Sequence, residues 1–217
     1  NIKLDMVVAV MPVSIQFVLD HGESIFPDAP AVFVLPSKKQ FPRIAARPRS
    51  GLVKSSSDAI PGTIDRIRVL LPDTDHLVVV SGGGADDLHY QTLAAEALND
   101  GKWPRKTEYL KGLPAEDLAR RLEKLPDQSA VLMLTYLQDD QGRPLTTVQV
   151  MKSVAARSTA PIFCFYDTVM GLGIVGGKLT SAEAYGEAIV ETALKIFKGG
   201  GALPLVETVA EVRDIYD

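Results

Sequence analysis

The chain reads as an α/β protein whose strands form parallel sheets, and three observations point that way. Short, uncharged, β-branched runs recur along it, at residues 6–10, 30–35, 76–81, 130–135 and 161–166. Segments of helical period separate them. Several of the runs pass straight into polar or glycine-rich loops. Uncharged strands suit burial on both faces, and strands alternating with helices imply βαβ units. Right-handed crossovers then bring the strand-end loops to one edge of each sheet.

Residues 6–10 (MVVAV) have the character of an interior strand. We therefore expect further chain upstream of Asn1. Ser14 is placed to cap the next helix, where Ile15, Val18 and Leu19 share a face. Residues 30–35 form the second strand. Residues 36–49 carry three prolines and five basic residues and read as an exposed loop. Residues 51–54 are a short strand. Ile60, Ile64, Ile67 and Leu70 mark a helix that Pro72 stops, with Pro61 in its first turn. Residues 76–81 (HLVVVS) are the next strand, followed by the Gly82–Gly84 loop and a helix over about 85–98. Residues 106–110 read as a polar strand near a sheet edge. The helix at 114–125 turns Leu118, Leu122 and Leu125 inward. Residues 130–135 are a strand, 136–144 (YLQDDQGRP) a polar loop, and Val148, Met151 and Val154 mark another helix. The strand at 161–166 runs into a segment with four glycines. Ser181 then caps a long helix that Gly199–Gly201 ends, and 203–209 is extended.

With 217 residues, the chain has room for one large domain or two lobes. Its net charge of −4 and lack of a basic block argue against a nucleic-acid partner. No apolar run approaches the length of a membrane span, and residues 1–3 show no signal peptide. The single cysteine, Cys164, lies in a buried strand and reads as a small core residue. His21, His76 and His89 are scattered, and no pair has metal-ligand spacing. No nucleophile elbow or cofactor fingerprint is present, so we expect no enzyme, cofactor or metal.

The candidate ligand residues therefore come from strand ends: Met11, Ser14, Pro36, Ser81, Gly82, Asp87, Tyr136, Tyr166, Asp167 and Gly177. The Ser81–Asp87 stretch opens a helix, whose bare N–H groups suit a carboxylate. Asp86 and Asp87 equally suit the positive end of the helix dipole without any ligand. Tyr136 and Tyr166 end neighbouring strands and could sandwich a small ligand, or pack there as ordinary strand-end aromatics. Asp139 and Asp140 read as solvated turn residues. Asp167 is the best single candidate for a cationic or hydroxyl group.

Several segments together resemble a known family. They are residues 5–10 with the following helix, 78–87, 125–127 (LPD), 140–143 (DQGR), 166–177 (YDTVMGLGIVGG) and 181–199 ending in KIFKG. The chain resembles the ABC transporter substrate-binding-protein-like sensor domains of bacterial membrane-bound sensor histidine kinases. Those belong to the type I periplasmic-binding-protein superfamily. The resemblance implies two Rossmann-like lobes with parallel sheets, the N-terminal one incomplete, and a small molecule bound in the cleft between them. Residues 1–52 and 177–201 would form lobe one, and 53–176 with 202–217 lobe two, with hinges near 52–54, 174–177 and 203–206. The implied role is an extracytoplasmic sensor domain of a signal-transduction histidine kinase. The alternative is a solute-binding protein of an ABC transporter for an amino acid or small organic acid. The partners expected are a small-molecule ligand and a second copy in a homodimer, not nucleic acid. Membrane attachment would come only through segments outside this chain.

Overall fold

A computed structural model describes residues 4–55, 58–99, 103, 106–199, 206–210 and 212–217, with only the backbone described at 55 and 206–210. Two compact units share the chain. One comprises Asn1–Ser56 and Ala182–Glu211, the other Ser57–Ser181 and Val212–Asp217.

In the first unit β1 (Val7–Val10) leads into α1 (Met11–Ile25), and β2 (Ala31–Val34) into α2 (Phe41–Ala46). β3 (Ser50–Ser55), α7 (Ala182–Lys198) and β9 (Val206–Ala210) complete it. The sheet order is β1-β2-β3-β9, and every pair is parallel. Ile15, Val18, Ala31, Phe33, Ile44 and Leu52 close one face under α1 and α2. Val32, Val34, Val53, Ala188 and Ile196 close the other under α7. The stretch read as an exposed loop thus holds a 3₁₀ turn and α2. Pro42 lies in the first turn of α2, where proline costs no hydrogen bond, and Ile44 is buried.

In the second unit α3 (Ala59–Leu70), β4 (His76–Ser81) and α4 (Ala85–Leu98) precede β5 (Lys106–Lys111) and α5 (Ala115–Leu122). β6 (Ser129–Met133), α6 (Thr147–Val154), β7 (Ile162–Cys164), β8 (Gly176–Thr180) and β10 (Val212–Tyr216) follow. The sheet order is β10-β8-β7-β6-β4-β5, parallel except for the antiparallel β8–β10 pair. The polar strand β5 is an edge, as expected. Val78, Val80, Val131, Met133, Ile162 and Cys164 face a core closed by α5 and α6. Burial pushes the Cys164 thiol up to about 12, as for an inert core thiol.

Three expectations need correction. Ser14 does not cap α1: the helix begins at Met11, and the Ser14 hydroxyl donates back to the Val10 carbonyl from inside the first turn. Gly177 is not at a ligand loop or a hinge but inside β8, paired with Ile215. Its φ is +155°, and a Cβ there would strike the Cys164 carbonyl and the Thr63 side chain. It is glycine because α3 and β7 press against that backbone. Residues 177–180 accordingly pack in the second unit and not in lobe one. Strand β8 is held there by β10, a strand the extended 203–209 reading did not foresee.

β7 and β8 pair at Phe163 and Gly176 and then part. Thr63 of α3 fills the gap. Its hydroxyl accepts from Lys178 N (3.0 Å) and lies 3.3 Å from the Cys164 and Lys178 carbonyls. The opening therefore leaves few backbone groups unpaired.

Candidate functional site

The carboxyl ends of the parallel strands gather most of the candidate residues on one edge within each unit, where open α/β sheets place ligands.

In the first unit this edge holds Met11, Pro12, Pro36, Ser37 and Gln40. Met11 and Leu35 adopt left-handed φ values of +72° and +59° immediately after β1 and β2. Such angles are uncommon outside glycine and concentrate at functional edges. Gln40 ties the two loops together. Its amide donates to the Pro12 carbonyl (2.8 Å), and its carbonyl oxygen accepts from Ser37 N (3.0 Å). Pro36 is half-buried beside that turn.

In the second unit the Gly82–Gly84 loop follows β4. Its N–H groups are already spent. Gly82 donates to Thr135 O (2.9 Å), Gly83 to Gln138 O (2.7 Å) and Gly84 to the Asp87 carboxylate (3.2 Å). The expectation of bare N–H groups for an anion is corrected at these three positions. Asp87 is fully buried, and its carboxylate also accepts from Leu137 N (3.0 and 3.1 Å). Burial raises its pKa, against the nearby Thr135 hydroxyl and the backbone donors, which lower it. Asp87 therefore fastens the start of α4 to the loop after β6 and is not offered to a ligand. Gly82 is glycine because a Cβ there would run into that carboxylate.

The loop after β6 folds around Asp139, which the sequence suggested was solvated and which is in fact buried. Its carboxylate accepts from Gln141 N (3.0 Å), Arg143 N (2.9 Å) and the Arg143 guanidinium (2.6 Å). Burial raises its pKa, but those donors outweigh burial and hold it below the usual range. Asp140 stays exposed, and its N–H donates to the Gly112 carbonyl (2.7 Å).

The two tyrosines do not form a sandwich. Tyr136 is fully buried among Val150, Met151 and Val169, and its hydroxyl donates to the Leu113 carbonyl. Burial, aided by the charges of Asp139 and Asp140, drives its pKa well up. Tyr166 is half-buried, meets Phe165 edge-on (4.9 Å), and donates to the Leu134 carbonyl (3.1 Å).

On this edge Asp167 is half-buried at the start of a 3₁₀ turn, and Gly83, Gly84 and Gln138 are half-exposed. Two buried hydroxyls also stand at strand ends of this sheet. Ser81 ends β4 and Thr180 ends β8; both are buried, and neither Oγ has a hydrogen-bond partner among the described residues. Thr180 escaped the sequence reading, since nothing distinguishes it there from any threonine closing a strand. The β7 and β6 strands separate the two, so they bracket a stretch of edge about 14 Å wide. Buried hydroxyls without partners are rare and call for a reason.

A second cleft, of about 380 Å³, opens at the opposite edge between the 70–74 and 125–129 turns. It shares no residue with the strand-end set. Among the described residues no His, Cys, Asp and Glu cluster could hold a metal. No helix among them is long and apolar enough to cross a membrane.

Neither a protein-family model nor a curated protein matches the sequence. Solved structures do. The ligand-free, open structure of CD0873, a substrate binding protein with adhesive properties from Clostridium difficile, is similar over 99% of this chain and 72% of its own, with 13% identity and a TM-score of 0.65. The fold is that of the type I periplasmic binding proteins. A LacI-type transcriptional regulator from Bacteroides fragilis matches 98% of this chain and 75% of its own at 11% identity, TM-score 0.66. An ABC domain in complex with L-Trp from Streptococcus pneumonia matches 95% and 69% at 13%, TM-score 0.58. The neighbours are binding proteins and regulators, and with this fold the strand-end edge is the natural place to look for a ligand.

Proposed function

We propose that the chain is the extracytoplasmic ligand-binding domain of a signal-transduction histidine kinase, taking up a small molecule at its strand-end loops. The observation that carries the binding part is the pair of buried hydroxyls without a hydrogen-bond partner among the described residues, Ser81 and Thr180, at the carboxyl ends of β4 and β8. A polar ligand seated on that edge supplies what they lack, and Asp167, in the turn after β7 on the same edge, suits an ammonium or hydroxyl group. An amino acid or small organic acid is the ligand class. L-Trp, held by one structural neighbour, is a suitable first probe. The sensing role rests on the resemblance carried by residues 166–177.

The test is calorimetry and thermal shift with L-tryptophan, aliphatic amino acids and small dicarboxylates. A ligand at one hundred times its Kd stabilises the folded chain by about 2.7 kcal/mol, a readily seen shift. Binding that Asp167→Ala weakens, with the fold intact, supports the reading. Binding that neither Asp167→Ala nor Ser81→Ala alters would move the site elsewhere. Transport, the rival role, predicts a lipoprotein signal and a neighbouring permease. Sensing predicts a membrane helix and a kinase in the same polypeptide.

A further inference from the structure

The amino-terminal edge of the second unit's sheet carries the cleft that the strand-end residues do not share. Its volume of about 380 Å³ lies at the lower end of the range for small-molecule pockets. The turn that ends α3 (70–74) and the turn before β6 (125–129) wall it, with Thr159 and Pro161 just ahead of β7. Leu71, Leu125 and Pro161 give the walls their apolar surface.

The polar groups of the lining lean toward acceptors. Pro72, Pro126 and Pro161 have no N–H to offer. The N–H groups of Leu71, Thr74 and Thr159 are taken by the Ile67, Leu71 and Leu122 carbonyls (2.8, 3.0 and 3.1 Å). The hydroxyl protons of Ser129 and Thr159 go to the Pro126 and Leu122 carbonyls (2.7 and 3.1 Å). Thr74 differs. It is only 6% exposed, and its hydroxyl has no hydrogen-bond partner among the described residues. Such a hydroxyl can accept as well as donate, and buried ones without partners are rare. The charged members of the lining are Asp73 and Asp127, both exposed, and neither is in an ion pair among the described residues. Lys106 and Lys124 lie outside the lining. Arg68 is taken by Asp65 (3.0 Å) and the Trp103 ring, and Arg121 by Glu108 (2.7 Å).

We propose that this cleft is a second ligand site, taking a small alkyl amine or diamine. Charge complementarity and the free Thr74 hydroxyl choose the occupant. The ammonium group, which has three donors and no acceptor, meets the Thr74 hydroxyl and the two aspartates. The aliphatic stem lies along Leu71, Leu125 and Pro161. A carboxylate of the same length meets few donors and two like charges, and an alcohol brings no charge to Asp73 and Asp127. The site stands on the opposite end of the sheet from Ser81 and Thr180, so it does not depend on what binds there.

The test is calorimetry and amide chemical-shift mapping on the chain with pentylamine and 1,5-diaminopentane, and with pentanoate and 1-pentanol as controls. The expected results are saturable amine binding with a Kd of about 1 mM or tighter, and shifts at residues 70–74 and 125–129. The two controls should bind at least about tenfold more weakly. Asp73→Asn, Asp127→Asn and Thr74→Val should each weaken the amine about fivefold or more, with unchanged circular dichroism. Both aspartates are exposed, so their variants decide the matter even if Thr74→Val folds poorly. Amine binding indifferent to both aspartate variants overturns the proposal, as does pentanoate binding as tightly as pentylamine. So does an absence of saturation up to about 10 mM, or shifts confined to the strand-end loops at 81–87 and 166–168.

Discussion

Replacing Ser81 with alanine separates a binding role from a structural one. The Ser81 side chain is wholly buried at the end of β4, and its hydroxyl has no partner among the described residues. Leaving a buried hydroxyl unpaired costs about 1–3 kcal/mol, part of which relaxation recovers. Ser81→Ala removes that cost and leaves a gap no larger than one oxygen. The ligand-free variant should therefore gain about 1 kcal/mol, which for a chain of this size raises Tm by about 2–4 °C. If a ligand supplies the missing bond, the variant loses it, and affinity should fall about fivefold to tenfold, equivalent to roughly 1–1.4 kcal/mol. Urea unfolding of the ligand-free form and calorimetry with a ligand found in the screen read the two effects separately. Loss of more than 1 kcal/mol in the ligand-free variant would show that the hydroxyl has a partner at home, and the reasoning would fail. Activity traded against stability in this way is common at binding sites.

Four further outcomes follow from the same geometry. Asp87→Asn turns an amide donor toward backbone donors that now point at a carboxylate, and should cost about 1–3 kcal/mol in urea unfolding. The pH dependence of that difference has a definite sign. Because burial raises the folded pKa of Asp87, the folded chain holds the proton longer, so this group lowers stability as pH rises from about 4 through its folded pKa. Asp139 and Glu108, held low by their partners, act in the opposite direction, so only wild type minus Asp87→Asn isolates the slope. Thr63→Val keeps shape but strips the hydroxyl that Lys178 N uses, and a loss of about 1–3 kcal/mol with β8 amides exchanging faster is the expected result. Tyr136→Phe should lose about 1 kcal/mol with ligand affinity unchanged, and a large affinity change would return Tyr136 to the site.

The places where sequence reading succeeded and failed share one physical cause. The parallel strands were legible because burial on both faces demands uncharged β-branched runs, and the strand-end edge followed from topology alone. β10 was not, since VRDIY is half exposed and antiparallel and its polarity matches any tail. α2 was hidden by prolines that suit a loop and a first helical turn equally. The site residues failed at a finer level. Asp87 and Asp167 both stand just beyond a strand end, yet Asp87 is fully buried against Leu137 N and Gly84 N of the same unit while Asp167 is only half-buried. Tyr136 points down into the α5–α6 core, a direction that depends on how the chain turns after Met133. Sequence supplies the neighbourhood of a binding edge, but whether a polar group faces a ligand or its own backbone is decided by where each donor finds its acceptor. Ser81 and Thr180 find none among the described residues, and that is why a strand-end serine and threonine carry the proposed reading in place of the more conspicuous Asp87 and Tyr136.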